Sequence, residues 1–319
     1  MTAAFDPHAG FEPDPALLWH AAGCNCAFHA RRRFHATLVA GGAALALPGL
    51  AGAQVELPNR SRLSDFVPAE EIEAAAEQQY RQLMQQARQQ RALAPDDHPQ
   101  VVRLRHLAQR IVPNVMAPNL KSTARAREWR WEVNLIGSQQ VNAFCMPGGK
   151  IAFFYGLLDK LKLNDDECAM VMGHEMAHAL REHARERMGK TAATSGLIEL
   201  GSALFGLGTG GRYLAGLGGQ LLTLRFSRDD ESEADKVGLD LAARAGYDPR
   251  AGVTLWQKMG QASKGSPPQW LSTHPAGPAR IQEIQATLPA VERLYERAPK
   301  PSQRFGPPAS SEARSTARD

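Results

Sequence analysis

Apolar residues recur at helical spacing in two adjoining stretches of the chain. In residues 68–93 they fall on one face of a predicted helix, and the other face is rich in Gln, Glu and Arg. Pro68 suits the first turn of this helix. A second amphipathic helix is predicted over residues 99–112, where Pro113 ends it. The inward-facing residues of the two helices are Ile72, Ala76, Tyr80, Leu83, Ala87, Val101, Leu104, Ala108 and Ile111.

The pattern then changes to alternation, which predicts strands. Apolar and polar residues alternate over 129–135, and residues 141–145 and 150–155 form two further short strand-like runs. The Pro-Gly-Gly sequence at 147–149 predicts a turn between the second and third strands. We therefore expect a small antiparallel sheet that leads directly into the next helix.

That helix is predicted to be continuous over residues 164–188. Asn164 is a suitable N-cap, and Glu167 three residues later completes a capping-box pattern. Acidic residues follow the cap and arginines precede Gly189, which is the order that the helix dipole favours.

The remainder of the chain is predicted to be helical and then irregular. Residues 195–222 are rich in Gly and Leu and predict two short helices joined by a glycine loop. A helix ending at Ala245 and short helices over 249–259 and 278–288 follow. Residues 297–319 are rich in Pro, Ser and Arg without apolar periodicity, which predicts a disordered tail. The expected fold class is α+β and mostly helical.

Residues 1–53 have the pattern of an export signal. Three arginines, at 31–33, precede an apolar run over 34–50, and the Ala-Gly-Ala sequence at 51–53 offers a cleavage site. The arginines also resemble a twin-arginine signal, so the export route stays open, as does the true start of translation. The apolar run is short for a membrane anchor. We expect an exported protein with no membrane span after signal cleavage.

Composition narrows the function classes further. The 319 residues allow one large domain or two small ones, and a hydrophobic content of 43% is ordinary for a globular protein. The net charge of +4 is too small to indicate a nucleic-acid partner. Beyond residue 53 the cysteines are Cys145 and Cys168, for which two buried free thiols are favoured over a disulfide.

The predicted helix at 164–188 contains His174-Glu175-Met-Ala-His178, an HExxH sequence. The two histidines lie four residues apart, so both imidazoles leave the same helix face and their nitrogens can share one Zn²⁺. Glu175 is rotated by about 100° from His174, which lets it reach a water beside the metal without being a ligand. Such a short motif also occurs by chance on surface helices, so other parts of the chain have to support the site.

Further sequence blocks of interest lie before and after the HExxH motif. They are Asn-Ala-Phe at 142–144 with Pro-Gly-Gly at 147–149 and Gly-Leu-Leu at 156–158, then HExxH, then Glu-Ser-Glu-Ala-Asp at 231–235, then His-Pro at 274–275 with Arg280. This set resembles the HtpX-like zinc metallopeptidases, a family that includes the CAAX prenyl endopeptidases and the periplasmic beta-barrel assembly-enhancing protease. The resemblance covers roughly residues 125–285. It implies a zincin-type domain.

The resemblance also implies roles for three acidic residues. It places the third zinc ligand at Glu231, with Glu233 as the competitor. The two lie about 200° apart around a helix, so both cannot face one metal ion. Asp235, one turn beyond Glu231, is expected to accept the second N–H of a ligand histidine, His174, and so fix its orientation.

A zinc ion held by three protein ligands keeps a position open for water, and the implied reaction is peptide hydrolysis. Glu175 is expected to act as general base and to pass the proton to the leaving amine. His274, held in extended backbone by the following proline, either stabilises the developing oxyanion, or plugs the open zinc position, or only packs. The strand at 150–155 is the expected edge for an extended peptide substrate.

These inferences divide the chain into four segments. They are a signal peptide with a long n-region at 1–53, N-terminal helices packed on the catalytic domain at 54–122, a zinc metallopeptidase domain at 123–296 and the tail at 297–319. The expected function is that of a zinc-dependent endopeptidase of the bacterial cell envelope that hydrolyses misfolded or unassembled proteins. We expect a periplasmic location, with outer-membrane association left open. The alternative is a chaperone-like outer-membrane assembly factor with a latent zinc site.

Overall fold

Nine α-helices and one three-stranded sheet form the described part of the computed structural model, which comprises residues 55–194, 221, 224–263, 268–275 and 278–309. The helices are α1 (Ala69–Gln89), α2 (Pro99–Ile111), α3 (Tyr155–Lys160), α4 (Asp165–Leu180), α5 (His183–Thr194), α6 (Arg228–Arg244), α7 (Ala251–Ala262), α8 (Gln269–Thr273) and α9 (Pro278–Arg297). The strands are β1 (Glu132–Ile136), β2 (Ala143–Met146) and β3 (Lys150–Phe154). Short 3-10 helices span Arg62–Phe66, Val112–Asn114, Pro118–Leu120 and Ala124–Arg127. The predicted signal peptide and, apart from Leu221, the predicted helices at 195–222 lie outside the described residues.

The two amphipathic helices predicted first are present as α1 and α2. Pro68 immediately precedes α1, and the His98 ring accepts a hydrogen bond from the Gln100 N–H at the start of α2. Leu104, Leu107 and Ile111 of α2 are fully buried and belong to the main hydrophobic core. Helix α2 therefore shares one core with the residues that follow it.

The predicted sheet is present, but it is mixed rather than wholly antiparallel. Strands β2 and β3 form an antiparallel pair around the turn at Gly148 and Gly149, whose φ angles of 85° and 79° favour glycine. Strand β3 lies between the other two and pairs with β1 in parallel. The reason is that β2 crosses to the far edge of the sheet before the turn returns the chain along its centre.

The helix predicted over 164–188 begins as expected and is then interrupted. Asn164 and Glu167 form the predicted capping box, with both hydrogen bonds at 2.9 Å. After Leu180 the chain breaks at Glu182, whose φ of 59° is left-handed, and α5 starts at His183. The prediction of one continuous helix was wrong because the buried Glu182 carboxylate pairs with Arg60 and Arg185, which hold this conformation.

Helices α4 and α6 pack against each other at the centre of the fold. A Cβ atom added to Gly238 of α6 would lie 2.9 Å from the backbone nitrogen of His174, and one added to Gly173 of α4 would lie 2.9 Å from the Gly238 carbonyl oxygen. The two backbones therefore approach as closely as they do because neither residue has a side chain.

The C-terminal part departs from the sequence prediction in two ways. Helix α9 continues through Pro289 to Arg297, and Val291 beyond the proline is fully buried. Residues 298–309 lie against the body of the protein, where the backbone N–H of Phe305 donates to Asp165 at 2.7 Å and Arg304 donates to Asp166 at 2.8 Å. The predicted disorder is therefore wrong for 298–309, because buried and half-buried carboxylates fix this segment. Residues 310–319 lie outside the described residues.

The described residues also show the state of the two cysteines and whether any helix could span a membrane. Cys145 and Cys168 are both buried free thiols, and burial raises the pKa of Cys168 to about 12. None of the described helices combines the length and the apolar character that crossing a bilayer requires.

Candidate metal centre

His174 and His178 lie side by side on the buried face of α4. They are 2% and 3% exposed, and their Nε2 atoms are 3.2 Å apart. The spacing of four residues places both rings on one helix face. This arrangement brings two potential ligand nitrogens to the same point.

Glu231 of α6 supplies the third donor. Its Oε2 atom lies 3.5 Å from His174 Nε2 and its Oε1 atom lies 3.4 Å from His178 Nε2. Atoms bonded to a tetrahedral zinc ion at about 2.0–2.1 Å are about 3.3–3.4 Å apart. Each Nε2 atom is thus separated from one of the two Glu231 oxygens by about the edge of a zinc tetrahedron, so the two imidazoles and the carboxylate fit around one zinc ion.

The pKa shifts in this cluster favour a neutral His178, a protonated His174 and an ionised Glu231. Burial lowers the pKa of His178 well below its ordinary value. Burial also acts to lower the pKa of His174, but hydrogen bonds to Asp235 and Glu231 outweigh it and raise that pKa to about 9. For Glu231, burial acts to raise the pKa, yet His274 and His174 hold it well below the ordinary range. A metal ion at this point would displace the His174 proton.

Asp235 accepts a hydrogen bond from Nδ1 of His174 at 2.9 Å, which directs Nε2 of that ring towards Glu231. Arg280 of α9 donates to both carboxylate oxygens of Asp235, at 2.7 and 2.8 Å, and to Glu231 at 2.5 Å. The Arg280 guanidinium lies 3.6 Å from the centre of the Trp256 ring. Arg280 thus offsets two buried negative charges. The sequence had placed it in a family-like block without giving it a role.

Glu175 lies next to the donor cluster and is held by a tryptophan. Its Oε1 atom accepts a hydrogen bond from Nε1 of Trp270 at 2.6 Å, and the residue is 2% exposed. Burial raises the pKa of Glu175 above its ordinary value. A carboxylate with a raised pKa is better matched to accepting a proton near neutral pH. Trp270 was not singled out by the sequence, since a buried tryptophan is usually part of a core.

His274, which follows α8, lies inside the cluster. Its Nδ1 atom is 2.9 Å from Glu231 Oε1 and 3.3 Å from His174 Nε2. Donor atoms of His174, His178, Glu231 and His274 all lie within 4.8 Å of one another. The Nε2 atom of His274 is 3.6 Å from Oε1 of Glu175. The structure therefore brings His274 to the donor cluster. Both the oxyanion-stabilising role and the plugging role require this position.

Glu233 points away from the donor cluster, as the helical rotation predicts. It pairs with Arg181 and lies 3.4 Å from Nε2 of His183. The Nδ1 atom of His183 is 2.9 Å from Nδ1 of His178. His183 was missed because a continuous helix would have placed it on a different face from His178.

The cleft beside Glu175 is bounded by β2. Residues of this strand and the segments around it line the cleft together with Glu175, His178 and His274; they are Asn142, Ala143, Phe144, Cys145, Met146 and Pro147. The expectation that β3 offers the free edge was wrong. Strand β3 is central and paired on both sides, whereas β2 is at the edge of the sheet.

Sequence comparison with known proteins places this chain in a family. Residues 96–288 match the model of peptidase family M48. The chain is 32% identical over 241 residues to the mitochondrial metalloendopeptidase OMA1 of Schizosaccharomyces pombe, an alignment that covers 75% of this chain and 67% of that protein. It is 41% identical over 162 residues to the same-named protein of Arabidopsis thaliana, covering 47% of this chain and 30% of that one.

A bacterial relative is also found. The chain is 29% identical over 182 residues to the beta-barrel assembly-enhancing protease of Escherichia coli strain K12, covering 54% of this chain and 37% of that protein. The alignments thus span from under a third to about two thirds of the length of these relatives. The family match at residues 96–288 extends over α4, α6 and the His274 segment. The chain therefore belongs to peptidase family M48, a family of metallopeptidases.

Proposed function

We propose that this protein is a zinc-dependent endopeptidase in which His174, His178 and Glu231 hold the metal and Glu175 is the general base. The observation that carries the proposal is a buried cluster of two histidine nitrogens 3.2 Å apart and one carboxylate, whose two oxygens lie 3.4 and 3.5 Å from them. This cluster lies next to Glu175, which lines a cleft. A site built only for structure would close the fourth position with a further ligand and would not need Glu175.

When bound, zinc supplies a Lewis acid that lowers the pKa of water and stabilises negative charge on a peptide carbonyl oxygen. Glu175 accepts the proton of the attacking water and later gives it to the leaving amine. The Trp270 hydrogen bond to Oε1 fixes the carboxylate and leaves Oε2 for this transfer. Asp235 keeps the His174 ring oriented through Nδ1.

The substrate is proposed to bind as an extended strand along β2. This strand is at the sheet edge and lines the cleft that contains Glu175. Main-chain pairing at a strand edge gives affinity without demanding one sequence. Such tolerance suits the unfolded, misfolded or unassembled proteins that we propose as substrates.

A location in the bacterial cell envelope, in the periplasm, forms part of the proposal. It is supported by the signal-like pattern of residues 1–53 and by the similarity to the beta-barrel assembly-enhancing proteases of Escherichia coli and Yersinia pestis. The proposal extends to outer-membrane association and to contact with the assembly machinery of that membrane, as the name of these relatives suggests. Detection of the protein in a periplasmic fraction, with a cytoplasmic marker as control, tests this part.

A second candidate function is a chaperone-like assembly factor with a latent site. The specific observation in its favour is His274, whose Nδ1 atom lies 2.9 Å from Glu231 and so within the donor set. A fourth protein ligand would leave no position for water. Under this alternative the protein binds unfolded chains without cutting them.

The decisive experiment is digestion of an unfolded model protein by the purified chain, followed by electrophoresis and mass spectrometry. We expect cleavage that a chelator abolishes and added Zn²⁺ restores. Metal analysis of the purified protein should give one zinc ion per chain. Binding of the unfolded protein without cleavage, at full zinc occupancy, would favour the latent-site alternative.

A further inference from the structure

The second nitrogen of His178 contacts another histidine rather than a carboxylate. Nδ1 of His178 and Nδ1 of His183 are 2.9 Å apart, and Nε2 of His183 is 3.4 Å from Oε1 of Glu233. His183 is only 2% exposed. Glu233 also accepts a hydrogen bond from Arg181. Four side chains thus form a series, buried except for the partly exposed Glu233, that leads away from the proposed metal centre.

The break between α4 and α5 is what makes this series possible. In an uninterrupted helix, residues five apart point about 140° away from each other, so His183 could not contact the ring of His178. The left-handed Glu182, with φ of 59°, turns the chain and returns His183 towards α4. A left-handed conformation is uncommon for a residue with a side chain and is often kept for function.

The hydrogen-bond chemistry allows one assignment when His178 binds metal through Nε2. The Nε2 lone pair is then engaged, so Nδ1 of His178 carries the proton and donates. Nδ1 of His183 must therefore accept, which places the proton of that ring on Nε2, where it faces Glu233. Arg181 in turn offsets the charge of Glu233.

We propose that His183 is a positioning residue that fixes the tautomer and ring direction of His178, with Glu233 as the terminal acceptor. This inference rests on the proposed zinc site. The two ligand histidines would then be supported differently, His174 by Asp235 directly and His178 through a second histidine. Phe226, stacked 3.9 Å from the His178 ring, covers one face of that ring but offers no acceptor for its N–H. Loss of such a support typically lowers metal affinity by about 10–100-fold.

The test compares two substitutions of nearly equal shape in the full chain. His183→Asn keeps an acceptor oxygen close to the position of Nδ1, whereas His183→Leu does not. The Zn²⁺ affinity of each metal-free protein is measured by competition with a chelating indicator. The visible spectrum after loading with Co²⁺ reports the coordination geometry, and thermal unfolding of the metal-free proteins reports folding. His106→Asn serves as the control, since His106 contacts Phe305, away from the donor cluster.

We expect His183→Leu to bind Zn²⁺ about 10–100-fold more weakly with an altered Co²⁺ spectrum, and His183→Asn to regain most of the affinity and the wild-type spectrum. Wild-type affinity in His183→Leu, or an Asn variant as weak as the Leu variant, would overturn the positioning role. If the Leu variant does not fold, the Asn variant still decides, because a wild-type Co²⁺ spectrum supports the role and a changed one contradicts it. Failure of the wild-type protein to bind either metal would instead refute the zinc site itself.

Discussion

Gly173 and Gly238 touch where the two helices that carry the proposed metal ligands cross. A Cβ atom on Gly238 would lie 2.9 Å from the backbone nitrogen of His174 and 3.2 Å from its Cα. The atoms it would meet are backbone and cannot move independently of the helix. The distance between α4 and α6, and with it the reach of Glu231 towards the histidines, therefore depends on this pair.

Gly238→Ala is expected to destabilise the protein by about 1–3 kcal/mol, the usual cost of overpacking a core, and to weaken Zn²⁺ binding by moving α6 outward. Urea unfolding and chelator competition measure the two effects. Gly260→Ala in α7 is the matched control, because a Cβ atom there meets nothing within 4 Å. That change should leave zinc binding intact and stabilise α7 by about 0.5–1 kcal/mol. Equal behaviour of both variants would show that the close contact is not needed.

Glu175→Gln should strongly reduce hydrolysis while zinc binding persists. The amide keeps the size of the side chain and can still accept the Trp270 hydrogen bond through its oxygen, but it cannot take up a proton. We expect turnover of an unfolded protein to fall by at least about 10²-fold, with unchanged metal content. Cleavage near the wild-type rate would rule out Glu175 as the base.

Glu231→Gln and Glu233→Gln distinguish the two acids near the third ligand position. Glu231 faces both histidine Nε2 atoms, whereas Glu233 faces Arg181 and His183. We expect the first change to lower zinc occupancy sharply after gel filtration. The second should not, because the amide oxygen still accepts from His183. The reverse result would move the ligand to Glu233.

His274→Ala tests whether this residue plugs the site or assists catalysis. Its Nδ1 atom is 2.9 Å from Glu231 and 3.3 Å from His174, the position of a competing donor. We therefore expect basal cleavage of a short peptide to rise. A pure oxyanion donor predicts the opposite, a loss of about 10²–10³-fold. Ser272→Ala, two residues earlier and exposed, is the control. Unchanged cleavage and zinc affinity would leave only a packing role for His274.

Asp165 should make stability sensitive to acid. Burial acts to raise the pKa of Asp165, but the Phe305 N–H and Arg103 outweigh it and lower the pKa. Its folded-state value is thus below the unfolded-state value of about 3.9. The stabilisation it gives is present above about pH 4 and is lost as pH falls through the folded-state pKa.

Asp165→Asn should cost about 3 kcal/mol or more at pH 7, because it leaves the fully buried Arg103 without its carboxylate. The difference from wild type should shrink as the pH drops below about 4. Urea unfolding at several pH values measures it, with the exposed Asp97→Asn as control. A difference that does not change with pH would contradict the assignment.

Local signals in the sequence determined much of this fold. The capping box at Asn164 and Glu167, the amphipathic faces of α1 and α2 and the turn at Gly148 and Gly149 depend on residues close in the chain. The HExxH spacing likewise fixes two nitrogens on one helix face. These features could be predicted because helix period, capping and turn chemistry act over a few residues.

Only the tertiary structure decided features that depend on distant residues. The break at Glu182 needs Arg60, more than a hundred positions earlier, and without that break His183 could not contact His178. The central position of β3 in the sheet depends on β2 lying at the far edge. The ordered conformation of residues 298–309 depends on their hydrogen bonds to Asp165. The periodicity of apolar residues cannot predict such partners, because a buried charge is stabilised by whichever opposite charge the fold brings next to it.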